Sequence, residues 1–241
     1  MKHLQMLACF GFFLLLIPSV KAQNDAVTEQ LNQNNDWPNL RRYRNENVKA
    51  GLPSANENRV VFMGNSITDA WINASPDFFA KNPYLDRGIS GQTTPQMLIR
   101  FRQDVIDLKP KVVIILAGIN DISGNTGPSS LEMIENNFAS MAQLAKANKI
   151  KVVLCSVLPA YDIPWKAGVE PIQKIIDLNK WIKNYAAKNN FVYVDYYGAM
   201  ADERKGLPAT LSKDGVHPTE AGYKIMEPLA VKGIEKALKQ K

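Results

Sequence analysis

The chain has 241 residues and a formal net charge of +6 at pH 7, a mild excess spread along its length. Arg41-Arg42-Tyr43-Arg44 is its one dense basic block, so the composition gives little support to nucleic-acid binding. With 2 cysteines and 2 histidines, it lacks the material for a disulfide framework or a multi-imidazole metal centre.

In chain order, the first 22 residues read as a secretory signal. Lys2 is a short basic start, Leu7–Val20 is almost wholly apolar, and Val20-Lys21-Ala22 fits cleavage after Ala22. The apolar run is shorter than the roughly 20 residues a membrane span needs. Cys9 lies at its start, which argues against a lipoprotein cysteine, and no later stretch is apolar enough to span. The mature protein is therefore expected to be secreted or periplasmic, without a stable membrane span. Cleavage takes Lys2 and Lys21 but no acid, which lowers the net charge from +6 to +4. It also takes Cys9 and His3. Cys155, inside the apolar run Val152–Val157, then reads as a buried structural thiol, and any catalytic imidazole has to be His217.

Residues 23–36 form a polar lead rich in Asn and Gln. Trp37–Lys49 predicts a short helix packed through Trp37, Leu40 and Tyr43, closing an N-terminal segment over 23–57. A single domain, 58–241, follows. Its predicted strands are Val60–Met63, Tyr84–Arg87, Val112–Ala117, Lys151–Val157 and Phe191–Asp195. The third and fourth are continuous apolar runs, as expected for parallel strands covered on both faces. Between them, Thr94-Pro95 marks a helix start. Ser129 with Glu132 spells a capping box, Ile175, Leu178, Ile182 and Tyr185 mark a third helix, and Thr219 caps a fourth. Alternating strands and helices predict an α/β fold, a three-layer α/β/α sandwich on a five-stranded parallel sheet of order 2-1-3-4-5.

That order gathers the polar signals. Ser66 follows the first strand, Ser90-Gly91-Gln92-Thr93 the second, and Gly118-Ile119-Asn120-Asp121 the third; Asp214-Gly215-Val216-His217 comes after the fifth. All lie beyond strand carboxyl ends, so Gly91 and Asn120 are expected to flank Ser66. The weakly periodic stretch 196–216 is long enough to bring His217 back over it. Taken singly, Ser66 could be a turn or cap residue, Asn120 a turn residue and His217 a surface residue.

Four stretches in this order resemble the sequence blocks of the SGNH (GDSL) hydrolase family of esterases and lipases: Gly64-Asn65-Ser66-Ile67, Gly91 in Ile-Ser-Gly-Gln-Thr, Gly118-Ile119-Asn120-Asp121, and Asp214-Gly215-Val216-His217-Pro218. The resemblance spans about residues 58–236 and implies a flavodoxin-like sandwich, in agreement with the sheet above. Two positions depart from it. Asn65 stands where the family has Asp, and Arg87 where many members have Asn; both concern local hydrogen bonding rather than reaction type.

The resemblance implies that Ser66 is a nucleophile activated by His217, with Asp214 fixing the imidazole tautomer. The hole for the oxyanion would use the backbone N–H of Ser66, the backbone N–H of Gly91 and the Asn120 amide. No metal or organic cofactor is required. Asp121 reads as a structural partner, and Asp69 and Asp195 as a helix cap or strand end. Pro159, Tyr161 and Trp165 form a candidate aromatic wall after the fourth strand. The expected activity is hydrolysis of short acyl esters, first of all O-acetyl groups on extracellular glycans, with a small-molecule or glycan ester as partner. A lysophospholipase or general acylhydrolase is the alternative, and a non-catalytic glycan-binding module on the same fold is the alternative of another class. A flavodoxin-type cofactor protein is disfavoured, since the turn after the first strand lacks a phosphate cradle.

Overall fold

The computed structural model describes residues 36–240. The expected signal and nearly all of the polar lead lie outside the described residues. Five parallel strands form the sheet: β1 (Val60–Gly64), β2 (Tyr84–Gly88), β3 (Val112–Leu116), β4 (Lys151–Cys155) and β5 (Val192–Val194). Their spatial order is β2-β1-β3-β4-β5. Val60 registers with Tyr84 on one side and Val112 on the other, so the carboxyl ends of these three strands finish level.

Strand side chains alternate between faces, and the core divides accordingly. Val61, Met63, Val113, Ile115, Val152 and Leu154 pack on one face with residues of the helices Thr94–Asp104, Leu131–Ala147 and Pro171–Asn189. Val60, Phe62, Val112, Ile114, Val153 and Cys155 pack on the other face with the Glu220–Leu238 helix and with Trp71 and Phe79. Burial of each such side chain contributes about 1.5–3 kcal/mol. Cys155 is fully buried, and that burial pushes its thiol up to about 12. Among the described residues, no helix is long and apolar enough to cross a membrane.

Several local expectations shift. The first helix cap is Thr93, one residue before the predicted one, in a reciprocal capping box with Gln96. Thr94 is already the first helical residue, and its N–H and hydroxyl are turned to Asp121. Ser130, not Ser129, caps the next helix, accepting from the Met133 N–H. The N-terminal helix runs only over Arg44–Ala50. Tyr43 is its buried anchor, whereas Trp37 is 49% exposed. Part of the long stretch after β5 is ordered as the helix Tyr196–Met200, capped by the Asp195 carboxylate.

Candidate active site

β1 ends in a turn that leaves no room for a side chain. A Cβ on Gly64 would lie 1.9 Å from Thr68 Oγ1 and 3.0 Å from the Leu116 carbonyl oxygen. Only glycine lets the chain pass this close before it enters the short helix Ser66–Asp69. Asn65, buried at the turn, caps that helix by accepting from the Ile67 N–H at 3.3 Å. The departure at position 65 thus keeps a capping oxygen. Ser66 is the first helical residue. The Tyr223 hydroxyl donates to the Ile67 carbonyl at 2.8 Å, tying this helix to Glu220–Leu238.

Asp214 and His217 lie just before that second helix. Gly215 adopts φ +80°, a left-handed conformation that folds the chain back on itself. Asp214 Oδ1 thereby accepts from the backbone N–H of Val216 at 2.9 Å and of His217 at 2.8 Å. Asp214 Oδ2 lies 2.7 Å from His217 Nδ1, and His217 Nε2 lies 2.8 Å from Ser66 Oγ. Burial alone would raise the Asp214 carboxyl; the N–H groups of His217 and Val216 and the His217 ring outweigh it and hold the carboxyl down at about 2. Ser212 closes the turn by donating to the His217 carbonyl at 2.7 Å.

Gly91 and Asn120 follow β2 and β3, the two neighbours of β1. Asn120 is 2% exposed, and its amide donates to the Gln92 carbonyl at 2.9 Å, joining the two loops. Asp69 accepts from the Ser90 hydroxyl at 2.6 Å and from the Ser90 N–H at 3.2 Å, so it anchors the Gly91 loop rather than capping a helix. Asp121 accepts from the Thr94 N–H and hydroxyl. Burial raises its carboxyl to about 6, although the Thr94 bonds pull the other way.

Arg100, absent from the sequence reading, is fully buried beneath these loops. Its Nε donates to Gln92 Oε1 at 2.6 Å, its Nη1 to Asp104 at 3.0 Å, and its Nη2 to the carbonyls of Gly64 and Arg87, each at 2.9 Å. One guanidinium thus binds the ends of β1 and β2 and the residue after Gly91. A signal existed: Arg100 and Asp104 lie four residues apart on the face otherwise marked by Met97 and Phe101. Arg87, the second departure, turns away to Asn47 Oδ1 at 2.8 Å and to the Tyr43 ring.

Of the expected aromatic wall, Pro159 is buried and Tyr161 is 56% exposed beside Arg204. Trp165 alone reaches the histidine, with ring centroids 5.6 Å apart.

Comparison with known proteins agrees with this architecture. A Bacteroides fragilis structure is 48% identical, covering 84% of this chain and 99% of that one, with a TM-score of 0.83. A GDSL-like lipase from Bacteroides thetaiotaomicron is 51% identical, covering 83% and 98%, with a TM-score of 0.81. An acetylxylan esterase from Geobacillus stearothermophilus is 28% identical over 148 residues, 59% of this chain and 67% of that protein. The GDSL-like lipase/acylhydrolase family model matches residues 62–225, and the chain belongs to that family of ester-cleaving hydrolases.

Proposed function

We propose that the protein is a serine ester hydrolase working through an acyl-enzyme, with Ser66, His217 and Asp214 as its triad. The observation that carries this reading is the unbroken relay from Ser66 Oγ to His217 Nε2 at 2.8 Å and from His217 Nδ1 to Asp214 at 2.7 Å. His217 takes the Ser66 proton as the hydroxyl oxygen attacks the ester carbonyl. The same proton then goes to the departing alkoxide, and the acyl group stays on Ser66. Water, deprotonated by His217, releases the carboxylic acid and restores the hydroxyl. Asp214 keeps the proton on Nδ1 and stabilises the imidazolium. The backbone N–H groups of Ser66 and Gly91 and the Asn120 amide receive the negative oxygen.

For the substrate, short acyl esters are favoured, first an O-acetyl group on a carbohydrate. The similarity to the acetylxylan esterase supports this choice. The basic, apolar and small-residue pattern of residues 1–22 supports export; N-terminal sequencing of the exported protein should begin at Gln23.

A fluorophosphonate probe tests the mechanism: the label should map to Ser66 and be lost in His217→Ala. Glycan binding without labelling or ester hydrolysis would instead identify a non-catalytic module. A rate that rises from acetate to long-chain p-nitrophenyl esters would favour the lipid alternative.

A further inference from the structure

Resting on the esterase reading above, we propose that Trp165 and Asn125 form a wall along the acyl side of the cleft and limit the acyl group to a short chain. The Trp165 ring lies over His217 with centroids 5.6 Å apart and planes inclined by 33°. Its indole N–H donates to Asn125 Oδ1 at 3.4 Å, and the Asn125 amide donates to the Gly91 carbonyl at 3.2 Å. The two side chains therefore make a continuous contact from the histidine to the glycine loop.

Both ends of the wall are anchored. The Ser123 hydroxyl donates to Asn125 Oδ1 at 2.6 Å, fixing the amide's orientation. Trp165 sits in a turn closed by the Lys166 N–H on the Ile163 carbonyl at 2.9 Å, and Ile163 is buried in the core at 1% exposure. The indole is 44% exposed, so its outer face remains open to a ligand.

A reacting carbonyl has to meet Ser66, His217 and the donors at Gly91 and Asn120 together. It therefore sits beside the Trp165–Asn125 contact. The leaving oxygen must face His217 Nε2, from which it takes a proton, and the carbonyl oxygen must face Gly91 and Asn120. On this proposal the remaining substituent, the acyl chain, lies along the wall that joins these two groups. An acetyl methyl fits without disturbing it. A longer chain has to displace the indole from His217 and break its bond to Asn125, losing the ring contact and the hydrogen bond together.

The test holds the leaving group constant. Acetate, butyrate, hexanoate and octanoate p-nitrophenyl esters are compared for the native enzyme, Trp165→Ala and Asn125→Ala. Trp165 is partly exposed, so the alanine variant is expected to fold, which near-ultraviolet circular dichroism checks. Trp165→Ala should raise the octanoate-to-acetate ratio of kcat/KM by roughly tenfold or more, with a smaller rise in Asn125→Ala. An unchanged ratio, or a uniform fall for all four esters, would overturn the wall and leave Trp165 as a support for His217 alone. Absence of ester hydrolysis and of Ser66 labelling in the native protein is a separate result: it removes the esterase reading, and the wall falls with it.

Discussion

The two sides of the candidate active site are built differently. On the donor side, Gly91 and Asn120 stand on loops knitted to a fully buried guanidinium and to one another, with Asn120 only 2% exposed. On the base side, Asp214 and His217 share one short turn, their side chains 42% and 34% exposed, and most of its bonds run within residues 211–219. On the proposed mechanism the contrast follows from their tasks. Dipoles that receive a developing charge must already point at it, which needs a rigid frame. A base that accepts and returns a proton needs a fixed tautomer, and a local carboxylate supplies it.

Breaking the relay should give the largest effect. Ser66→Ala and His217→Ala should each lower kcat on the order of 10⁶-fold, with the double variant no worse, because the groups act as one unit. Clearly additive losses in a double-mutant cycle would show that the two act separately.

The donor side comes next. Asn120→Ala should lower kcat by about 10²–10³ with a modest change in KM. Arg100→Met tests the frame beneath it. It removes the buried cation that pairs with Asp104 Oδ2 and leaves only the Asn47 and Gln103 amides on Oδ1, so thermal unfolding should reveal a loss of about 3–5 kcal/mol. Adding Asp104→Leu should restore much of that stability but not kcat, since Gln92 Oε1 still lacks its guanidinium donor. Recovery of both would reduce Arg100 to a stability element.

The base side should be more forgiving. Ser212→Ala removes one buried hydrogen bond of about 1 kcal/mol, so kcat should fall less than tenfold at unchanged KM.

The last effect concerns stability against pH rather than turnover. Asp86 lies within β2, and burial raises its carboxyl from the ordinary 3.8 to about 7. The folded state therefore holds a proton that the unfolded chain has released. Stability from this group is present below pH 3.8 and is lost as pH rises towards about 7, with no further change above it. Melting curves should show Asp86→Asn flattening that decline. An identical slope in the variant would mean that Asp86 is ionised in the fold.

Much of this asymmetry was legible in the sequence. The strands and the placing of Ser66 after the first of them came from apolar runs stopped by turn residues, their order from the usual order of small parallel α/β sheets, and the Asp214–His217 turn is local enough for its spacing to carry it. The frame under the donors was less visible. Arg100 sits in a helical stripe with Met97 and Phe101, and only the fold shows that its partners are carbonyls of two strands and a glutamine eight residues upstream. Asp69 was misassigned for the same reason: its partner, Ser90, lies 21 residues away and belongs to a different strand's loop. Trp37 suited a buried helix by composition, yet the chain there is in turns and leaves the indole half in water.

The bond from Tyr223 to the Ile67 carbonyl makes the last long helix a strut of the reactive centre. An order of assembly follows during synthesis. The Ser66 alcohol emerges from the ribosome early, but its proposed proton acceptor and the phenol that braces its helix are translated more than 150 residues later. A nascent or prematurely ended polypeptide that presents the first three strands alone lacks both His217 and Tyr223, and on the proposed mechanism it gains hydrolytic competence only when the final helix docks.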